Sequence, residues 1–264
     1  MNAAPLYTKQ GLIDILKGIA KKGWIPNARR GNQGGIGNTL EDLLGIAENN
    51  LPIPNAAEWE LKTQRLATTS LTTLFHMEPS PRAVGFVSQI FLPKYGWKHK
   101  EAGTAYSDGE MSFRQTIGGR TPSDRGFKVK VDRVNRKVLV SFDRSKIAER
   151  HKRWRESVRA RVGLSELSPQ PYWGFDDLEH KAGTKLLNCF YVQAEVKMIQ
   201  NRENYRYSKV MMLEKFNFEG FLKAIESASI LIDFDARSGH NHGTKFRLRQ
   251  HALPMLYTTS AIIF

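Results

Sequence analysis

The sequence predicts an α/β protein long enough for one large domain or two lobes, and three observations carry that expectation. Segments with helical apolar spacing alternate with period-two, β-rich segments along the chain. The chain has 264 residues, 41% of them hydrophobic and 14 of them Phe, enough for a sizeable core. A polar stretch from Gly163 to Pro171, containing Leu-Ser-Glu-Leu-Ser-Pro-Gln-Pro, interrupts the alternation and divides the chain into residues 1–163 and 164–264.

The first helix is expected over Tyr7 to Lys21, where Leu12, Ile13, Leu16 and Ile19 recur at helical spacing. A basic, Gly-rich loop follows at residues 28–37. Glycines let backbone approach a phosphate closely, and Arg29 and Arg30 add charge. No Gly-Lys-Ser/Thr closes the loop, so it is not a Walker loop, and a flexible linker shares its composition. Asn38 to Ile46 reads as a short amphipathic helix. Glu41 stands three residues after Asn38, either as the acid of a capping box or as an acid aimed at the strand beyond. That strand runs from Ala57, and Thr69 to His76 reads as a second. The short Gln64–Thr68 link predicts a hairpin between them. Pro79 and Pro81 end it, and a helix-like segment runs from Ala83 to about Lys94.

Glu110 to Ile117 is the next strand. Phe127 to Asp132 alternates cleanly and Lys137 to Phe142 is apolar, with Asn135 in the turn of a hairpin. Lys146 to Val162 carries Arg150, His151, Lys152, Arg153, Arg155, Arg159 and Arg161 around Trp154. It reads as a basic helix, either tracking a phosphate backbone or simply solvated. Beyond the polar stretch come a helix over Phe175 to Lys185 and paired strands over Leu187 to Met198 and Tyr205 to Leu213. A helix over Asn217 to Ser227, a strand over Ser229 to Asp235 and a polar segment over His240 to Arg249 complete the order.

The stretch Ile53 to Lys62 concentrates the chemistry. Along a strand, Glu58, Glu60 and Lys62 share one face and Trp59 and Leu61 the other, with Asn55 in the turn before them. By itself the pattern is first that of a wet surface strand with an ion pair, and it also fits two acids and a lysine around a divalent metal. Hard oxygen ligands suit Mg²⁺, which lowers the pKa of a bound water, and a lysine can orient that water. Glu195-Val-Lys197 repeats the spacing without an acid just upstream and reads as structural.

Composition narrows the classes. Lys plus Arg number 40 against 26 Asp plus Glu, a formal charge of +14, which favours a polyanion partner, nucleic acid first. No apolar run approaches the roughly 18 residues of a spanning helix. The N-terminus lacks signal-peptide order. A single cysteine, Cys189, excludes an internal disulfide and a cysteine-based zinc site, and fits the cytoplasm. No Gly-x-Ser-x-Gly or His-Glu-x-x-His appears, and Cys189 sits in an apolar run as a core residue. His240 and His242, two apart without an acid or Cys partner, make a weak zinc site.

The motifs, taken in order, resemble the MvaI/BcnI family of type II restriction endonucleases, relatives of the MutH nickase among the PD-(D/E)XK nucleases. The resemblance begins at Arg30-Gly-Asn-Gln-Gly-Gly-Ile-Gly-Asn-Thr-Leu-Glu-Asp-Leu-Leu44 and Glu48-Asn-Asn-Leu51. It continues through Glu60-Leu-Lys-Thr63, Ser70-Leu-Thr-Thr-Leu-Phe75 and Gln115-Thr116. Tyr172-Trp-x-Phe-Asp-x-Leu178, Tyr205-x-Tyr207 and His242-Gly-Thr-x-Phe-Arg247 carry it over nearly the whole chain.

The resemblance implies a mixed sheet flanked by helices, with two lobes forming a DNA-binding cleft. Residues 1–163 would be mainly catalytic and 164–264 mainly for recognition, with segments able to exchange. It implies Mg²⁺-dependent hydrolysis of double-stranded DNA, with Mn²⁺ as a substitute metal, by a monomer nicking each strand in turn at a short CC-N-GG-like site. A cognate DNA methyltransferase would belong to the same system without being bound. Carried over by position, Glu60 is a metal ligand, Lys62 the catalytic lysine and Glu41 a supporting acid. Arg30, Asn32 and His76 become DNA contacts, and His242, Lys245 and Arg247 enter the groove for readout, where Arg or Lys pairs with guanine. The chain departs from the family at Asn55, which stands where the first metal-binding aspartate is expected. Asn55 keeps one carbonyl oxygen and loses a charge, with Glu58 on the Glu60 face as a compensating ligand. A DNA-binding homologue impaired in cleavage and a MutH-like mismatch-repair nickase are the alternatives.

Overall fold

The computed structural model describes residues 8–29, 35–46, 59–66 and 68–264. In chain order the elements are α1 (Lys9–Lys21), β1 (Ile25–Pro26), α2 (Gly35–Leu44), β2 (Trp59–Arg65), β3 (Thr72–His76) and β4 (Trp97–Lys98). Next come β5 (Met111–Ile117), β6 (Arg125–Asp132), β7 (Lys137–Ile147), α3 (Lys152–Val162), β8 (Tyr172–Gly174) and α4 (Phe175–Leu186). The last are β9 (Asn188–Ile199), β10 (Arg202–Phe216), α5 (Phe218–Glu226), β11 (Ile230–Arg237), β12 (His240–Leu248) and β13 (Tyr257–Ile262). They fall into two units that trade segments. One takes the chain up to Thr72, Lys181–Phe218 and Leu253–Phe264, and the other takes Thr73–His180 and Glu219–Ala252.

The first unit is a five-stranded sheet in the order β1-β10-β9-β2, with β13 also on β10. β2 runs parallel to β9 and the other pairs are antiparallel. α1 starts where the Thr8 hydroxyl accepts the Gly11 amide at 3.1 Å, and it buries Leu12, Ile13, Leu16 and Ile19. α2 buries Ile36, Leu40 and Leu44. These faces share one core with Trp59 and Leu61 of β2, Phe190 and Val192 of β9, and Tyr205 and Tyr207 of β10. Gly35 opens α2 because a Cβ there would lie 2.5 Å from Asn27 Nδ2 and 2.6 Å from the Tyr205 hydroxyl. That start places Asn38 inside the helix, so the capping box expected for Asn38 and Glu41 does not form.

The second unit holds a five-stranded sheet, β3-β12-β11-β5-β4, and a three-stranded one, β6-β7-β8. Its core is aromatic. Phe91 lies 4.8 Å from Phe113, 5.1 Å from Phe234 and 6.0 Å from Phe127, ring centre to ring centre. Phe91 sits on Phe86–Tyr95, a segment wound in π-helical turns where the helix-like segment was expected. The β6–β7 hairpin forms as predicted, its turn held by Asn135 donating from its backbone to Asp132 Oδ1 at 2.9 Å.

Three further expectations are corrected. β2 and β3 are not a hairpin: β2 pairs with β9, and β3 lies at the edge of the other unit's sheet beside β12. The basic segment is helical only from Lys152, because β7 continues to Ile147 and a short 3₁₀ turn covers Glu149–His151. Residues 163–171 are not a boundary. Glu166 Oε1 accepts the Phe142 amide at 2.6 Å and the Leu167 amide at 3.0 Å, while Leu164 and Leu167 are buried. The stretch is thereby packed within the second unit, and the two units do not follow a cut at 163.

Candidate functional site

Among the described residues of the first unit, Glu60 is the buried acid. Trp59 and Leu61 turn into the helix-covered core, so alternation sends Glu60, Lys62 and Gln64 to the opposite face of β2. Parallel pairing sets Glu60 beside Cys189, Lys62 beside Tyr191 and Gln64 beside Gln193. The Glu60 side chain is 2% exposed, and Lys62, 13% exposed, donates from Nζ to Glu60 Oε1 at 2.5 Å. On the other oxygen, Lys185 Nζ from the last turn of α4 lies 3.1 Å from Oε2. Oε2 nevertheless has no aligned hydrogen bond, so the Lys185 contact is one of charge proximity rather than direction.

Besides Lys185, two neutral groups adjoin this pair among the described residues, Cys189 and Tyr257. Burial pushes the Cys189 thiol up to about 12, with nearby Lys62 pulling it down and Glu60 pushing it further up. Burial also drives the Tyr257 hydroxyl well above the ordinary phenol value, reinforced by Cys189 and Glu60. Gln64 is spent on structure: its Oε1 accepts from the Tyr191 hydroxyl and its Nε2 donates to the Ser70 carbonyl at 3.0 Å. Cys189 is fully buried, as expected of a core residue.

Of the remaining residues expected at this site, Glu41 lies on α2, partly buried on the helix that packs against β2. Asn55, Glu58, Arg30 and Asn32 lie outside the described residues. Among the described residues no group of three or more His, Cys, Asp or Glu is placed to hold a metal. What the structure offers a hard cation is a buried carboxylate oxygen with an unused lone pair, Glu60 Oε2.

A second cluster occupies the polar face of the second unit's five-stranded sheet. β11 alternates buried Ile232, Phe234 and Ala236 with partly exposed Asp233, Asp235 and Arg237. β12 sends Thr244, Phe246 and Leu248 inward, leaving Lys245 and Arg247 beside those aspartates. Lys245 Nζ donates to Asp235 Oδ2 at 3.2 Å, and Arg247 Nη1 donates to Asp233 Oδ2 at 3.3 Å. From β5, Thr116 Oγ1 donates to Asp233 Oδ1 at 2.8 Å, and Arg114 Nε lies 2.7 Å from Asp235 Oδ1 without alignment for a hydrogen bond. Burial raises the Asp235 carboxyl, but the Lys245 hydrogen bond and the charges of Arg114, Lys245 and His242 outweigh it and hold the group below the usual carboxylate range.

The β11–β12 register shifts between Phe234 and Ala236, opposite Thr244 and Asn241, so His242 and Gly243 stand out of the ladder. Gly243 has φ +83°, and a Cβ there would meet the His76 ring at 3.3 Å. His76 and the His242–Gly243 bulge are thus neighbours. His240 and His242 meet edge to face at 4.2 Å, and no third metal donor joins them among the described residues. The structure therefore gathers Glu60 with Lys62 in one unit and His76, His242, Lys245 and Arg247 in the other. It adds Lys185, Asp233, Asp235 and Arg114, which sequence reasoning missed. The two aspartates were legible as the exposed half of an alternating strand, whereas Lys185 carried no signal in its neighbourhood.

The fold with this acid–lysine strand is that of a restriction endonuclease. The solved structure of the restriction endonuclease MvaI with its cognate DNA substrate matches with a TM-score of 0.75 at 24% identity, over 98% of this chain and 100% of that one. The structure of MvaI in the absence of DNA matches with a TM-score of 0.55 at 22% identity, over all of both chains. The family model for the MvaI/BcnI restriction endonuclease family matches residues 13–257, and the chain belongs to that family. No curated protein matches the sequence. Among the described residues no helix is long and apolar enough to cross a membrane.

Proposed function

We propose that the protein is a Mg²⁺-dependent, sequence-specific endonuclease that hydrolyses phosphodiester bonds of double-stranded DNA. The observation that carries this reading is the buried Glu60 hydrogen-bonded to Lys62 on a sheet strand, in a member of a restriction endonuclease family. The first unit then performs the chemistry and the second reads base edges through His76, His242, Lys245 and Arg247. Glu60, with Asn55 and Glu58, would hold the metal, which supplies an activated water and neutralises charge on the reacting phosphate. Glu41 would support that ligand set, and Lys62 would orient the water or meet the developing charge. Arg30 and Asn32 would contact the DNA backbone. The reading extends to a monomer that nicks each strand in turn at a CC-N-GG-like site, in the cytoplasm, beside a cognate methyltransferase. Mn²⁺ would substitute for Mg²⁺.

Supercoiled plasmid incubated with the protein and Mg²⁺ or Mn²⁺ tests it. Nicking followed by linearisation is expected, and sequencing the cut ends gives the site. Glu60→Ala and Lys62→Ala should abolish cleavage while DNA binding persists. Intact binding with no cleavage across a broad set of sequences would sink the reading.

The second reading is a DNA-binding homologue that no longer cuts. Asn55 in place of an aspartate favours it, as do two ammonium groups against the one buried carboxylate. Asn55→Asp then switches cleavage on. An Asn55→Asp variant no more active than a robust wild type rejects this reading.

A further inference from the structure

We propose that Lys185 is a positioning residue of the Glu60 site: its ammonium guards the carboxylate oxygen that a divalent cation needs, so that metal enters by exchange with it. The proposal rests on the metal-dependent reading above but concerns a residue that reading does not use. A carboxylate 2% exposed is costly to keep ionised without a counter-charge. Glu60 has two, one on each oxygen, and they differ in kind. Lys62 stands two residues along the same strand, and its ammonium forms a 2.5 Å hydrogen bond to Oε1. Lys185 reaches in from the end of α4, a different element, to 3.1 Å from Oε2 without an aligned hydrogen bond. Its side chain keeps 19% exposure, so the ammonium has a route to solvent that the carboxylate lacks.

Oε2 is accordingly the exchangeable oxygen. Removing Lys62 would take away a directional bond, whereas removing Lys185 would chiefly take away a competing charge. Lys185 thus stabilises the metal-free carboxylate and, by the same contact, weakens the first metal contact. A purely structural lysine would make the opposite prediction, because losing it would disorder Glu60 and lower metal affinity.

The test is Mn²⁺ binding to the full chain without DNA, followed by electron paramagnetic resonance and calorimetry. Wild type is compared with Lys185→Gln, Lys185→Arg, Glu60→Gln and the charge-matched control Lys100→Gln, whose side chain is 79% exposed. Lys185→Gln should bind Mn²⁺ about fivefold more tightly than wild type and the control, the scale of one partly exposed charge contact, about 1 kcal/mol. Lys185→Arg should restore affinity to within about twofold of wild type by returning the charge. Unchanged or weaker binding by Lys185→Gln, with Glu60→Gln abolishing binding, overturns the role of Lys185 and leaves the metal site standing. Binding absent throughout, or untouched by Glu60→Gln, overturns the metal-dependent reading as well. Should Lys185→Gln fail to melt cooperatively, Lys185→Met reports the same exchange.

Discussion

Asp235→Asn is the sharpest test of how the proposed recognition face is built. The carboxylate lies 3.2 Å from Lys245 Nζ and 2.7 Å from Arg114 Nε, so the substitution unpairs two cations while barely changing volume. The Lys245 pair is mostly shielded, with exposures of 21% and 18%, and sits at the upper end of the range for such pairs, about 1 kcal/mol. Arg114 is 55% exposed, and solvent screening reduces its share to a few tenths. A loss of stability of about 1 kcal/mol is therefore expected at neutral pH. Because the folded carboxyl titrates below its usual range, this stabilisation is present above the unfolded value near 4 and disappears as pH falls through the folded value. Denaturant melts of wild type and variant should thus converge in acid.

The functional consequence is larger discrimination loss than binding loss. Lys245 gains freedom and the protein gains one positive charge, so affinity for random duplex should rise. Discrimination for the cognate duplex, found by sequencing cut ends, should fall about fivefold, the low end of one base contact. Competition anisotropy at fixed salt measures both, with Asp108→Asn as a charge control, its side chain being 85% exposed. If Asp235→Asn raises non-specific binding just as Asp108→Asn does and discrimination is untouched, Asp235 does not orient the readout.

Two further outcomes are expected. Cys189, fully buried with its thiol pushed up to about 12, should resist thiol reagents in the native protein and react with one equivalent after denaturation; rapid native labelling would contradict its packing. Phe91→Ala opens the centre of the aromatic core against Phe113, Phe127 and Phe234 and should cost about 3–5 kcal/mol in urea unfolding, with a value under about 1 kcal/mol contradicting the packing described.

Local pattern carried much of this fold. β9 carries the buried run Cys189–Val192 and β10 is a long β-rich segment, and their antiparallel register follows from a short turn between them. The parallel partner of β2 had no such signal. The chain leaves after Arg65 and supplies Thr73–His180 of the second unit before β9 returns to lie beside Trp59–Arg65. Adjacency in sequence suggested β3 instead, and the Gln64 side chain in fact donates to the Ser70 carbonyl in that link. Residues 163–171 misled for a related reason. Their composition is that of a linker, but Glu166 spends its carboxylate on two backbone amides and pins them. Glu60 and Lys62 were legible as neighbours on one face of one strand, while the roles expected of them came only from the family motifs on either side. Lys185 was not, because only the packing of α4 against the unit brings it to Glu60.

Charge at Glu60 now sharpens what Asn55 must mean. Cys189 beside it is neutral, and so is Tyr257, whose hydroxyl is held in its protonated form. Among the described residues the charged groups in contact with this carboxylate are two ammonium groups, so the local sum is one positive charge. A divalent cation cannot settle beside that sum unless other groups contribute negative charge or an ammonium departs. An aspartate at position 55 would supply the first; Asn55 supplies only a carbonyl oxygen. With Asn55 in place, release of Lys185 would add to whatever negative charge Glu58 and Glu41 bring in the proposed ligand set. Lys185→Gln and Asn55→Asp should therefore each strengthen metal binding. Together they should raise it by less than the product of the two, since both act on the same local charge beside Oε2.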